Sequence, residues 1–468
     1  MNLLFLFTLS DIGGIIRALK RLMPGLQQRL SGCNFVLKGM RIIQNPLFSE
    51  TIAEGVQFHA FRDKRFKTNR LTVHLVVPIT KETASLNALL SKILRRSCRD
   101  YPDYLSLAKH LENLYGAYIE AGTLKRGDCQ IVTISLTGID ERFTMDEAVN
   151  LPLARLLCGL TLDPVMEGDA LNPRYLDSEK KSLVDAIDAL LNDKRSYALN
   201  RAARILCQGD PAEIPAFGER EEVQRCTAQE LLQQYRMLLK TATIHLMFTG
   251  CGNYQQALQL FRRVFSSAER TPFTPISTPL KLSGKVAVVK EEMELLQAKL
   301  VLGYAGEIAG ANPLVPAMRV AVSILGGTPM SKLFVNVREK ESLCYYCSAR
   351  YDVYKGTMLI DCGVEPENTE RAKQAILEQV SLLQAGSFTE QEMEYAVLSL
   401  RNAYQSVYES DVTVESFFLN QILCGTYSTP EEQETLISAV TREDVIKAAQ
   451  KLTLQTEYLL CGKGGDAQ

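Results

Sequence analysis

The chain has 468 residues, of which 46% are apolar and 23% charged, with 29 Gly and 17 Pro. These fractions exclude a disordered, collagenous or low-complexity protein and leave room for two packed domains. With 52 Lys+Arg against 54 Asp+Glu, the global charge directs the protein neither to nucleic acid nor to an anionic membrane.

The N-terminal apolar run from Leu3 to Leu9 is far short of the roughly 20 residues a membrane span needs. Its basic residues, Arg17, Lys20 and Arg21, follow the run, the reverse of a secretory leader. Residues 1–39 therefore read as an extension outside the fold, and a first domain over 40–265. Leu71 to Val77 is β-branched and predicts a strand, and Leu86 to Leu94 an amphipathic helix. A helix from Tyr104 to Leu114 leads into a strand pair, Ala117 to Leu124 and Cys129 to Thr137, turning at Arg126-Gly127. Thr227 and Glu230 have capping-box spacing and open a helix ahead of a strand at Ile244 to Thr249.

Residues 266–279 read SSAERTPFTPISTP, whose prolines forbid helix and sheet interior, so this stretch is the linker. The second domain, 280–468, repeats the order. It has a strand at Ala298 to Tyr304 and helices at Pro316 to Leu325 and Ser331 to Lys340. A strand pair follows, Leu343 to Val353 and Thr357 to Val364, turning at Lys355-Gly356. Thr441 with Asp444 opens a helix that precedes a strand at Tyr458 to Cys461. An offset of 213 to 230 residues holds across the matched elements. The fold class is therefore α+β: two duplicated α/β domains, each a largely antiparallel sheet with helices packed on one face.

Metal chemistry has few donors. The histidines are His59, His74, His110 and His245, and a catalytic zinc takes about three protein ligands. His110 and Glu112 stand roughly 200° apart around a helix and cannot face one ion. His59, His74 and His245 each stand alone in an apolar strand pattern, which predicts packed or hydrogen-bonded roles. Twelve cysteines at irregular spacing predict free thiols and a cytoplasmic location. Cys344-Tyr-Tyr-Cys347 has CxxC spacing, but in a strand thiols three residues apart point to opposite faces, so burial is expected. No phosphate-binding loop and no Gly-x-Ser-x-Gly elbow occurs.

The duplicated architecture, together with Leu325-Gly-Gly, Ser331-Lys-Leu-Phe, Arg338-Glu-Lys and Leu343-Cys-Tyr345 in that order, resembles the pitrilysin, or insulinase, family of zinc metallopeptidases. It is most similar to the family's small, non-catalytic bacterial members of the YfmF-like type, with a fold like that of the mitochondrial processing peptidase. Active members hold zinc with His-x-x-Glu-His on the first helix and a later Glu, because i and i+4 share a helix face. The resemblance places those positions on Ala88, Ser91 and Lys92, and the later one at or near Ala186 beside Asp185 and Asp188. A methyl, a hydroxyl and an ammonium replace two imidazoles and a general base. The resemblance therefore implies no catalytic residues, no metal and no cofactor on this chain, zinc being expected on a partner. It also implies that Arg338 and Tyr345 bind peptide backbone, since a guanidinium fork and a phenol suit a polarised carbonyl. The expected partners are a catalytic pitrilysin-like homologue, closing with this chain like a clamshell, and an unfolded or extended peptide. Nucleic acid and a membrane span are not expected. The alternative is a scaffolding protein of the same fold with no peptide-handling role.

Overall fold

The computed structural model describes residues 47–145, 147–168, 170–266 and 269–462, so the extension read at 1–39 lies outside the described residues. Six strands form the first sheet: β1 (Leu47–Ala53), β2 (Val56–Arg62), β3 (Thr68–Pro78), β4 (Tyr118–Arg126), β5 (Cys129–Ile139) and β6 (Thr243–Gly250). They lie in the order β1-β2-β6-β3-β5-β4. Every neighbouring pair is antiparallel except β2 with β6. Five strands form the second sheet: β7 (Ala287–Met293), β8 (Ala298–Ala305), β9 (Cys344–Asp352), β10 (Thr357–Val364) and β11 (Thr453–Gly462), ordered β9-β10-β8-β11-β7. Only β11 with β7 is parallel there. The described residues between Phe265 and Ala287 form no helix or strand.

The alternation of side chains decides what each face meets. In β3, Leu71, Val73, Leu75 and Val77 join one core with helices α1 (Lys81–Leu94), α3 (Asn150–Leu162), α7 (Ala228–Thr241) and α8 (Gln255–Phe265). Between α1 and α3 lies α2 (Tyr104–Asn113). Between α3 and α7 lie α4 (Pro173–Ala189), α5 (Lys194–Leu206) and α6 (Arg220–Arg225). Both predicted capping boxes form, Thr227 with Glu230 and Thr441 with Asp444. The second sheet has an equivalent core with α9 (Val315–Val322), α10 (Thr369–Gln384), α11 (Glu390–Gln405), α13 (Pro430–Ser438) and α14 (Arg442–Ala449). The remaining α-helix of the described residues, α12 (Asp411–Leu423), lies elsewhere.

Each half's own helices thus pack on one face of its sheet, as expected, and the opposite faces are not left to solvent either. Helix α12 of the second half lies on the outer face of the first sheet, where Val414, Phe418, Leu419 and Leu423 bury Phe61, Val76, Ile131 and Met247. In return, α5 of the first half lies on the second sheet, with Ala198 and Ala202 against Val301, Tyr458 and Leu460. These helices start at Lys194 and Asp411, an offset of 217 that falls inside the sequence repeat. Each half thus donates the same duplicated element to the other's sheet. The two predicted turns meet as well. Gly127 and Gly356 have φ of 55° and 64°, which glycine adopts without strain. Beside them Lys355, 1% exposed, places its ammonium 2.8 Å from Asp128 Oδ1 and 3.0 Å from Asp210 Oδ2.

Two expectations change. The histidines read as solitary stand in one row across three strands, with His59 opposite Met247 in β6, two residues from His245, and His74 directly opposite His245. Ser49 Oγ is 2.8 Å from His59 Nδ1, and His59 Nε2 is 3.1 Å from His245 Nδ1. His74 Nε2 lies 3.2 Å from Glu415 Oε1 of α12. Their roles are hydrogen-bonded, but within one chain of contacts that no spacing in sequence reveals. The cysteines of the CxxC do not point to opposite faces. A β-bulge between Cys344 and Tyr346 inserts an extra residue, so Cys344 and Cys347 both enter the helical core and contact Cys362.

Candidate functional site

Helix α1 begins where Thr80 accepts from the Thr83 N–H. Its inner face is set by Leu89, Leu90, Ile93 and Leu94 in the core. It is held laterally by Asn87, which donates to Gln130 Oε1 at 2.9 Å and accepts from Gln234 Nε2 at 2.8 Å. Helix α4 is fixed by Glu179, fully buried against Arg96. Between α1, α4 and β4 lies a cavity of about 180 Å³ lined by Ala88, Ser91, Lys92, Ala186, Thr123 and Phe217, among others. The four residues that the resemblance matches to zinc ligands, Ala88, Ser91, Lys92 and Ala186, therefore share one cavity. Asp188 turns away to pair with Arg220 at 3.0 Å.

The donors present do not fit zinc. Ala88 and Ala186 have no lone pair, Ser91 spends its hydroxyl on the Ala88 carbonyl at 2.8 Å, and the Lys92 ammonium repels a cation. Imidazole, thiolate or carboxylate ligands are what a zinc site requires. Among the described residues no group of three His, Cys, Asp or Glu side chains is placed to hold a metal ion. Metal analysis of the purified chain after dialysis is expected to find no stoichiometric zinc. One tightly held zinc per chain would overturn that reading of the cavity.

A larger apolar groove of about 510 Å³ adjoins the cavity, sharing Thr123 and Phe217 and walled by Ile187, Leu190, Leu191 and Tyr197. It runs beside β4, which among the described residues pairs only with β5 and so presents an unpaired edge. Sequence reasoning missed this groove because its walls come from separate segments whose residues carry no pattern of their own.

Arg338 and Tyr345 do not line this cavity or groove. Arg338 stands in the last turn of a π-helix, Leu333–Lys340. Its guanidinium carbon lies 4.5 Å from the centre of the Phe334 ring, and Nη1 lies 3.1 Å from Glu339 Oε1. Tyr345 is the extra residue of the β9 bulge. It is 56% exposed and donates its hydroxyl to Glu365 Oε1 at 2.6 Å. That carboxylate raises the phenol above its usual range, so Tyr345 remains a donor at neutral pH. A core role for Tyr345 is excluded by its exposure.

Comparison with known proteins bears on the family and the fold. The family model described as "Peptidase M16 inactive domain" matches residues 225–400. The chain is 30% identical over 412 residues to the "Probable inactive metalloprotease YmfF" of Bacillus subtilis, covering 88% of this chain and 97% of that protein. A conserved protein from Enterococcus faecalis superposes with a TM-score of 0.83 at 26% identity, over 90% of this chain and 100% of that one. A subunit in complex III2 from Candida albicans, at TM-score 0.68 and 14% identity over 87% and 94% of the two chains, shares the fold. A duplicated α/β fold, a match to the inactive-domain model and 30% identity over 88% of the chain to a probable inactive metalloprotease together place this chain in the M16, or pitrilysin, peptidase family, among its inactive-type members.

Proposed function

We propose that this chain is a non-catalytic subunit that pairs with a zinc-bearing homologue and holds extended peptide for it in a shared chamber. The observation that carries the reading is the contrast between the two halves. The positions matched to zinc ligands in the first half carry no donor set, whereas the second half keeps Arg338 and Tyr345 on accessible surface, the Tyr345 hydroxyl resting on Glu365 until a peptide carbonyl takes its place. The unpaired edge of β4 offers backbone donors and acceptors to an incoming strand, a mode that tolerates varied sequence. On this reading no cofactor is bound by this chain, and zinc belongs to the partner. The eleven cysteines among the described residues are all free, which supports a cytoplasmic setting. No described helix is long and apolar enough to cross a membrane.

The test has two arms. Mixing this chain with a catalytic homologue should give a heterodimer mass by light scattering at micromolar concentration, and two unshifted monomers would count against pairing. In the assembled pair, Arg338→Ala and Tyr345→Phe should each slow peptide cleavage on the order of 10²-fold with unchanged melting temperature, the usual loss for one donor aimed at a developing oxyanion. Wild-type rates in both variants would assign the residues to solvated surface and favour a scaffolding role.

A further inference from the structure

We propose that the cavity at the degenerate metal positions is a binding site for the C-terminal carboxylate of a peptide, with Lys92 as its cation and Thr123 as its hydroxyl donor. The inference rests on the peptide-binding reading above and assigns that reading a substrate class: peptides with a free C-terminus and apolar side chains near it.

Two unsatisfied groups define the site. Lys92, half-buried near the end of α1, makes no hydrogen bond or ion pair with any described residue. The Thr123 hydroxyl is buried without a hydrogen-bond partner on a residue only 6% exposed. Both residues line the same cavity, whose other walls include Ala88, Leu183, Ala186 and Phe217. A buried hydroxyl left unpaired is destabilising, and the rarity of such groups in folded proteins marks the place of Thr123 for a ligand, with the half-buried Lys92 as an unpaired cation beside it. Three nearby acids already have a cation, Glu179 with Arg96, Asp188 with Arg220 and Glu219 with Arg204, and Asp185 stands exposed on α4 without pairing to Lys92.

The chemistry of the pair selects the ligand. One ammonium and one hydroxyl match a monoanion with two acceptor oxygens, and a charge-assisted contact of this kind is stronger than a neutral one. A phosphate dianion would keep half its charge uncompensated among methyl and aromatic groups. The volume, about 180 Å³, holds a terminal carboxylate and a short stretch of chain. Beyond Thr123 and Phe217 the cavity continues into the apolar groove walled by Leu190, Leu191 and Tyr197, which suits side chains upstream of the terminus. At Gly122, which also lines the cavity, a Cβ would meet nothing within 4 Å, so β4 leaves space for a ligand there. An aspartate or glutamate side chain presents the same carboxylate, and the experiment separates the two sources.

The probe is an N-terminally dye-labelled heptapeptide ending in Leu-Leu, titrated with the full chain by fluorescence anisotropy as the free acid, as the C-terminal amide, and as an amide carrying one internal Asp. The free acid should bind on the order of tenfold more tightly than the plain amide. Lys92→Met and Thr123→Val should abolish the acid-over-amide preference, and Lys92→Arg should preserve it. Melting temperatures of the variants report folding, while the acid-to-amide comparison on the wild type requires no substitution. Equal affinity for acid and amide overturns the carboxylate site and leaves the peptide reading standing. An Asp-containing amide that binds like the acid overturns the C-terminal assignment, and binding of no peptide at millimolar protein overturns both readings.

Discussion

Replacing Glu415 by Ala should lower the unfolding free energy by about 3 kcal/mol or more, at the level expected when a buried ion pair loses one member. The Glu415 side chain is 6% exposed and comes from α12, yet its partners all belong to β3 of the other half. Its Oε2 accepts from Arg70 Nε at 3.2 Å and from Thr72 Oγ1 at 2.7 Å, and its Oε1 is 3.2 Å from His74 Nε2. Burial opposes ionisation, but the hydrogen bond and charge of His74, with Arg70 and Thr72, outweigh it and hold the carboxyl below its ordinary range. Truncation therefore strands a guanidinium that is itself only 6% exposed, relieved in part by Glu120. The reciprocal pair joins Arg195 of α5, its side chain 37% exposed, to Asp361 of the second sheet, only 2% exposed. Arg195→Ala is expected to be destabilising as well, because it strands the buried Asp361 carboxylate, which keeps the Ser348 hydroxyl at 2.6 Å. Urea unfolding of the two variants measures both values. A Glu415→Ala midpoint equal to wild type would show that the apolar contacts of α12 alone hold the halves together.

Lowering the pH from 7.5 to 4.5 should destabilise the protein steeply, with His59 contributing about 3 kcal/mol over the full span of its shift. Burial, with the nearby charge of His74 adding to it, pushes the His59 imidazole down from 6.5 to about 4. Burial likewise holds His245 well below its ordinary value, with His59 and His74 adding to the effect. Between pH 6.5 and about 4 the unfolded chain therefore takes up protons that the folded chain refuses. Stability is complete above pH 6.5 and falls through this window. The depressed carboxyl of Glu415 acts in a separate range, because its stabilisation is lost only as the pH drops beneath the ordinary carboxylate value. His59→Gln should flatten the profile between pH 6.5 and 4.5. Parallel profiles for the variant and the wild type would remove His59 from the account.

Much of the fold was legible because its signals are local. The alternation in β3, the capping boxes at Thr227 and Thr441, and the glycines of the two matched turns each act within a few residues, and their repetition at a constant offset announced the duplication. The candidate site was legible only in outline. Ala88, Ser91 and Lys92 could be picked out through the resemblance, since three residues on one helix turn keep their mutual spacing in any fold. Thr123 and Phe217 could not, because they enter the cavity from β4 and from the loop before α6.

The sequence by itself therefore determined two copies of one α/β unit, the absence of zinc donors on α1 at the matched positions, and the polar character of Arg338 and Tyr345. It could not decide what covers the outer face of each sheet. A strand such as β3, buried on both faces, states only that something apolar or well paired must lie on either side. The tertiary structure decided that the cover is the other half's helix, that His59, His245 and His74 form one row, and that a bulge turns Cys344 and Cys347 into the same core while sending Tyr345 out to solvent. The physical reason is common to all three. Each depends on contacts between residues far apart in the chain, where burial and hydrogen bonding select one arrangement among several that the local pattern permits equally well.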